Sequence, residues 1–129
     1  MAFSDEFYSS ETLLRGILKK PDFWKVKEDR PSSAVFKDSR GGVSVNRTGE
    51  NRECYDKSLE QLKTSEKGKD FRAIAEVDVD LCKSLELDLK YEPEDYNIYH
   101  SEIHMPSFFT RPREKNALQE LAKKCTVIA

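Results

Sequence analysis

The residues most suited to chemistry lie in the stretch from Tyr99 to Met105, which contains both histidines of the 129-residue chain. Successive side chains of a β-strand point to opposite faces of a sheet. A strand here would therefore place His100, Glu102 and His104 on one face and a mostly apolar set on the other. Two imidazoles and a carboxylate on one face predict either general acid–base chemistry or a metal site.

These three side chains are the candidate catalytic residues, and they are also the candidate metal ligands. Imidazole nitrogens and a carboxylate oxygen suit Zn²⁺, Mn²⁺ or Fe²⁺, and a bound metal would turn water into a nucleophile near neutral pH. Asp38 is an acidic residue that would complete the set. The helical His-Glu-x-x-His motif of zinc peptidases is absent from the sequence. Because a polar strand face in contact with solvent explains the same pattern, the sequence predicts no required cofactor and leaves a divalent metal as the alternative.

A second polar group combines a guanidinium, two hydroxyls and an ammonium, the groups that proteins use to bind phosphate. Its members are Arg30, Ser32, Ser33 and Lys37. With His100 as general acid or base, the two segments together would make a metal-free phosphate site. We therefore expect Arg30 and His100 to line one concavity. The alternative is a capped turn in which the two serines bond nearby backbone groups.

Composition narrows the class of protein. The net charge is −2, which disfavours non-specific DNA binding because that needs a basic face. No stretch approaches the ~20 apolar residues that cross a bilayer, and the acidic N-terminus lacks the apolar run of a secretory signal. Cys54, Cys82 and Cys125 are widely spaced and odd in number, so we expect three thiols without disulfides in a reducing cytoplasm.

Hydrophobic periodicity predicts one α+β domain over residues 1–129, with about five or six strands in a mostly antiparallel sheet and three or four helices. Leu13, Leu14, Ile17 and Leu18 follow a serine N-cap signal and precede Pro21, which predicts a helix at residues 10–20. Further helices are expected at 50–66, directly after Asp78 and at 114–124. Strands are expected at residues 43–47, 71–79, 87–91, 98–105 and 126–129, with a turn at 40–42.

Three segments together resemble a family of small uncharacterised bacterial proteins. They are Arg30–Asp38 (Arg-Pro-Ser-Ser-Ala-Val-Phe-Lys-Asp), Val43–Val45 (Val-Ser-Val) and His100–His104 (His-Ser-Glu-Ile-His), followed by a C-terminal helix. The family shares an Arg-Pro-Ser-Ser-Ala-x-Phe segment, a Ser-Val strand and a late His-Ala-x-Val-x-Gly strand, and Met105 stands here where that pattern has glycine. The resemblance implies no activity. It directs attention to Arg30, Ser32, Ser33, Phe36, Ser44 and His100, and it adds Ser44 to the expected ligand-binding residues.

These observations predict a small bacterial binding or accessory protein that works beside a larger protein partner encoded at the same locus. Its expected ligand carries phosphate or is a nucleotide, and Phe108 and Phe109 in a proline-flanked loop are a candidate anchor for the partner. The alternative is a hydrolase of phosphoesters or nucleotides. It would use His100 with Arg30 and Ser32, or a metal at the histidine-bearing strand.

Overall fold

The computed structural model describes residues 3–37 and 42–128, and in this range it is one α+β domain with three helices, a six-stranded antiparallel sheet and a two-stranded hairpin. The predicted fold class is confirmed. Most of the turn predicted at residues 40–42 lies outside the described residues, as does Asp38. No helix in the described residues is long and apolar enough to span a membrane.

The elements follow one another closely along the chain. The strands are β1 Thr12–Leu18, β2 Trp24–Lys25, β3 Arg30–Pro31, β4 Gly42–Arg47, β5 Phe71–Asp78, β6 Asp88–Tyr91, β7 His100–His104 and β8 Thr126–Ile128. The helices are α1 Tyr55–Thr64, α2 Val79–Ser84 and α3 Arg111–Lys124. Short 3-10 turns occur at Pro21–Phe23, Ser33–Phe36, Glu50–Arg52 and Gly68–Asp70.

The large sheet has the strand order β6-β7-β4-β1-β5-β8, and β2 and β3 form the separate hairpin. One face of the sheet carries the main core. Leu13 and Ile17 of β1, Val45 of β4 and Ile103 of β7 lie there, with Leu121 of α3. The other face is covered in part by α1, which lies over β1 and β4. The second face of the sheet is therefore only partly covered.

The helix predicted at residues 10–20 is wrong, because this segment forms the strand β1. Leu13 and Leu14 point to opposite faces and are both fully buried. A central strand that is covered on both faces shows a continuous apolar run, which sequence periodicity does not separate from a helical stripe. Gly16 lies under the ring of Phe71, and an added Cβ would be 2.1 Å from Phe71 Cζ. This glycine is therefore a close-packing position in a strand.

The other predicted helices form, with changed ends. The helix predicted at 50–66 begins only at Tyr55, because Asn51 and Arg52 have positive φ angles of 53° and 59° that a right-handed helix does not accept. The helix predicted at 114–124 begins at Arg111, since the Thr110 hydroxyl accepts a hydrogen bond from the Arg113 backbone N–H and caps the first turn.

The proline-flanked aromatic pair divides between core and solvent. Phe109 is half-buried against the core, and the Arg113 guanidinium lies 4.2 Å from its ring centroid. Phe108 packs edge-on against Phe109 and is 64% exposed. One of the two rings is therefore structural, and the other remains on the surface.

Candidate functional site

A large cavity lies on the α1 side of the sheet and has a volume of about 1110 Å³. We call it the sheet cleft. Its floor is made by β1, β4 and β7, and its walls by the second half of α1, residues 65–67 and the loop at 94–97. Cavities of several hundred Å³ are typical of small-molecule sites. The histidine-bearing strand thus contributes directly to a concave surface.

The cleft opens because β1 and β4 separate soon after they meet. Their pairing consists of Leu13 with Arg47 and Leu14 with Asn46. Beyond these pairs the Arg15 side chain takes the place of the missing strand contacts: its Nε donates to the Val35 carbonyl at 2.6 Å and its Nη1 to the Ser44 carbonyl at 2.7 Å. The Arg15 side chain thus supplies hydrogen bonds to two carbonyls that a neighbouring strand would otherwise bind, and the space above Ser44 stays open.

The predicted alternation along β7 is confirmed. Ser101 and Ile103 are buried, whereas His100, Glu102 and His104 are half-buried on the opposite face. The antiparallel register with β4 brings Asn46 opposite His100 and Ser44 opposite Glu102. Side chains separated by more than fifty residues in sequence therefore share one floor.

His100 makes the most specific contacts in the cleft. Its Nε2 lies 3.3 Å from Ser44 Oγ, and its Nδ1 lies 2.7 Å from the Glu92 carbonyl oxygen. The Glu94 carboxylate is 3.7 Å from the same Nδ1. A carbonyl oxygen only accepts hydrogen bonds, so Nδ1 carries the proton in the neutral ring and Nε2 is left as an acceptor facing Ser44.

A buried amide pair fixes the loop that presents these groups to His100. Asn97 donates through Nδ2 to Asn46 Oδ1 at 2.9 Å, and Asn46 donates to the Gln61 side chain of α1 at 2.8 Å. The Asn97 backbone exchanges two hydrogen bonds with Glu94 and accepts one from the His100 N–H. Helix, strand and loop are thus tied together behind the histidine.

Glu102 and His104 form a separate pair at the end of β7. His104 Nε2 lies 2.8 Å from Glu102 Oε1. The pair folds over Gly42, where an added Cβ would lie 2.7 Å from Glu102 Oε1 and 2.8 Å from His104 Nε2. A glycine at this position of β4 leaves room for the hydrogen-bonded pair of His104 and Glu102.

The three predicted metal ligands do not converge. His100 faces Ser44 and the Glu92 carbonyl, while His104 faces Glu102. In the described part of the chain, no group of three His, Cys, Asp or Glu side chains is placed to hold a metal ion. Asp38, the predicted fourth ligand, is not among the described residues. A metal at this strand stays a prediction.

Arg30 and Ser33 line a different cavity of about 290 Å³, which we call the basic cavity. It lies between the β2–β3 hairpin and α3, and its other lining residues are Lys25, Gln119, Ala122 and Lys123. The expectation that Arg30 and His100 share one concavity is therefore wrong. The hairpin packs with α3, which lies on the core side of the sheet, whereas the sheet cleft opens on the α1 side.

The remaining predicted phosphate ligands are dispersed. Ser32 lines neither cavity, and its hydroxyl donates to the Asp22 carbonyl, as expected for a serine that satisfies local backbone. Lys37 is exposed and also lines neither cavity. Ser44 belongs to the sheet cleft. Of the predicted set, Arg30 and Ser33 therefore line one cavity, and the other members lie elsewhere.

Charge distinguishes the two cavities. Glu66, Glu94 and Glu102 line the sheet cleft, against the cations of Arg15 and Lys67. The Tyr96 hydroxyl at the rim donates to the Glu94 carboxylate, and this hydrogen bond raises the pKa of the phenol. The basic cavity has three cationic lining residues and no acidic one among those described. An anion is favoured in the second cavity and disfavoured in the first.

Several residues of both cavities carry no local signal that sequence reasoning could use. Lys25 and Lys123 are ordinary surface lysines in sequence, and Asn97 and Gln61 are ordinary polar residues. For Glu94 the sequence indicates only a position in a loop. Long-range packing decides which cavity each of these residues lines.

Comparisons with known proteins add nothing to this geometry: no family model, no curated protein and no solved structure matches the chain. The resemblance of the three motif segments to small bacterial proteins stays a prediction. The two cavities are therefore the features of the structure that bear on function.

Proposed function

We propose that the protein is a small binding module that holds a phosphate-bearing ligand in the basic cavity. The observation that carries this proposal is the charge of the lining, with the cations of Lys25, Arg30 and Lys123 and no carboxylate among the described lining residues. A cavity lined by three cations and no described carboxylate attracts anions.

Few donors of the basic cavity are used elsewhere among the described residues. Arg30 makes one hydrogen bond, from Nη1 to the Pro31 carbonyl at 3.3 Å, so most of its guanidinium N–H groups are available. Neither it nor Lys25 nor Lys123 takes part in an ion pair among the described residues. The Ser33 hydroxyl adds a neutral donor. An arginine fork with ammonium and hydroxyl groups suits the oxygens of a phosphate.

The size of the cavity limits what it holds. A volume of about 290 Å³ lies at the lower end of the range for ligand sites. It therefore suits a phosphate or pyrophosphate group, with any nucleoside or sugar outside. The hairpin that carries Lys25 and Arg30 also carries Val26, which is 82% exposed. The proposal extends to an accessory role, in which a partner protein contacts this hairpin and senses whether the cavity is filled.

Titration with inorganic phosphate, pyrophosphate and ADP, followed by melting temperature and calorimetry, tests this function. A ligand that binds only the folded state stabilises it by mass action. We expect pyrophosphate or ADP to raise the melting temperature of the wild type and to have little effect on Arg30→Ala or Lys123→Ala.

The matched control is Lys115→Ala, which removes one exposed cation from the same helix without touching either cavity. It should respond like the wild type. An equal response in Arg30→Ala, or the same stabilisation by sodium chloride at matched ionic strength, would show general counterion screening and contradict the proposal.

A further inference from the structure

The contact between Ser44 and His100 in the sheet cleft has the form of an activated nucleophile. Ser44 is exposed on the cleft floor, and its hydroxyl faces the Nε2 of a histidine whose side chain is 15% exposed. The two atoms are 3.3 Å apart, slightly longer than a short hydrogen bond and within the looser range of a nucleophile–base pair without substrate.

The opposite side of the imidazole is held by an acceptor. The Glu92 carbonyl at 2.7 Å fixes the proton on Nδ1, so the neutral ring presents an unprotonated Nε2 to Ser44. The Glu94 carboxylate, 3.7 Å from Nδ1, stabilises the ring when it gains a second proton. Ser44 as nucleophile, His100 as base and the Glu92 carbonyl as orienting group are thus joined by successive contacts.

The surroundings position the nucleophile. Arg15 donates to the carbonyl of Ser44 itself and so brings a positive charge next to this residue. This hydrogen bond, with the one from Arg15 to the Val35 carbonyl, holds the strand backbone at the nucleophile. The separation of β1 from β4 leaves open space above the hydroxyl, in a cleft of about 1110 Å³. A substrate therefore has access to the one side of Ser44 that the sheet does not cover.

We propose that the sheet cleft is a second site, independent of the basic cavity, at which Ser44 and His100 hydrolyse carboxylic esters. Ser44 Oγ forms a bond to the acyl carbon while its proton passes to His100 Nε2. The ester C–O bond then breaks, and the leaving alcohol takes that proton. Water next attacks the acyl group and gives a proton to His100, which returns it to Ser44 Oγ as the acid leaves. The sum is ester plus water to acid plus alcohol.

The lining of the cleft indicates the class of ester. Glu66, Glu94 and Glu102 disfavour a substrate with an anionic group near the reacting carbon. Phe23 and Phe71 offer apolar surface in the same cleft. The substrate class is therefore an uncharged or cationic ester with an apolar portion.

A fluorophosphonate probe tests the nucleophile directly, because it reacts with activated serines and leaves a covalent mass. We expect the wild type to gain one adduct, mapped to Ser44 by peptide mass spectrometry, and to hydrolyse p-nitrophenyl acetate. Ser44→Ala should lose both. His100→Gln should slow labelling by roughly 10²–10⁴-fold, the usual contribution of a general base.

Ser107→Ala is the matched control, since Ser107 is an exposed serine in the loop after β7 and lines neither cavity. It should label and hydrolyse like the wild type. Circular dichroism and melting of each variant establish that it is folded. If His100→Gln does not fold, the site of labelling in the native wild type still decides, because no adduct at Ser44 overturns the proposal. Equal labelling of Ser44 in folded His100→Gln also overturns it.

Discussion

At the scale of single residues, the thiol of Cys82 has a strongly shifted pKa. Its side chain, on the buried face of α2, is fully buried, and loss of solvation raises the pKa of the thiol from 9.0 to about 12, with a smaller contribution from the charge of Asp78. A buried thiol of this kind is held in its neutral form. It acts as a small apolar core residue and is not a reactive cysteine.

This burial predicts a loss of stability at alkaline pH. In the unfolded chain the thiol ionises near pH 9, whereas in the folded chain it stays protonated to about pH 12. The stabilisation is therefore complete below pH 9 and falls by about 1.4 kcal/mol per pH unit as the pH rises from 9 towards 12. Urea denaturation between about pH 8 and pH 11 measures this slope. Cys82→Ala should show a shallower decline, and parallel curves for the two proteins would disprove the assignment.

At the scale of elements, the two longer helices have apolar stripes of similar appearance but different burial. Leu121 of α3 is fully buried against the core, while Leu59 of α1 is only half-buried, because α1 covers the sheet beside the open cleft. The amphipathic pattern predicts similar burial for both leucines, whereas in the structure Leu121 is buried more deeply than Leu59.

The difference predicts unequal effects of truncation. Leu121→Ala should lower the free energy of unfolding by ~2–5 kcal/mol, as expected for a fully buried leucine. Leu59→Ala should cost no more than about 1 kcal/mol, because Leu59 is only half-buried and does not belong to the main core cluster. Denaturant titration of the two variants beside the wild type measures both values. Similar losses in the two would mean that α1 is packed as tightly as α3.

At the scale of the whole molecule, Arg47 joins the N-terminal segment to the sheet. Its guanidinium is fully buried and donates from Nε and Nη2 to the Glu11 carboxylate at 2.8 and 2.9 Å. It also donates to the backbone carbonyls of Ser4 and Glu6. The Phe7 ring lies 4.1 Å from the charge. All three nitrogens of its guanidinium therefore donate hydrogen bonds, as burying such a charge requires.

Removing one partner of this pair should be severe. Arg47→Met leaves the Glu11 carboxylate buried without its cation, so we expect a loss of about 3–5 kcal/mol in the free energy of unfolding. The double variant Arg47→Met with Glu11→Leu should recover part of this loss, since neither charge then remains buried. Lys124→Ala breaks the exposed pair with Glu120 and should change stability by less than about 1 kcal/mol. A comparable effect of Lys124→Ala would contradict the role of burial.

Local pattern was sufficient for much of this protein. Alternation at residues 71–79 and 98–105 predicted β5 and β7, and it also placed His100, Glu102 and His104 on one face. The short helix after Asp78 was expected because one unbroken strand would have been too long. These features depend on neighbours within a few residues, so the sequence by itself determined them.

Other features depend on pairing across long separations and were decided only by the tertiary structure. Residues 12–18 became a strand because β4 and β5 cover both of its edges, a fact that no local period encodes. The register of β4 with β7 brought Ser44 to His100, and the packing of the β2–β3 hairpin with α3 took Arg30 to a separate cavity. The amino-acid sequence determines the chemical type of each side chain, but the free energy of packing the whole domain determines which partners it contacts.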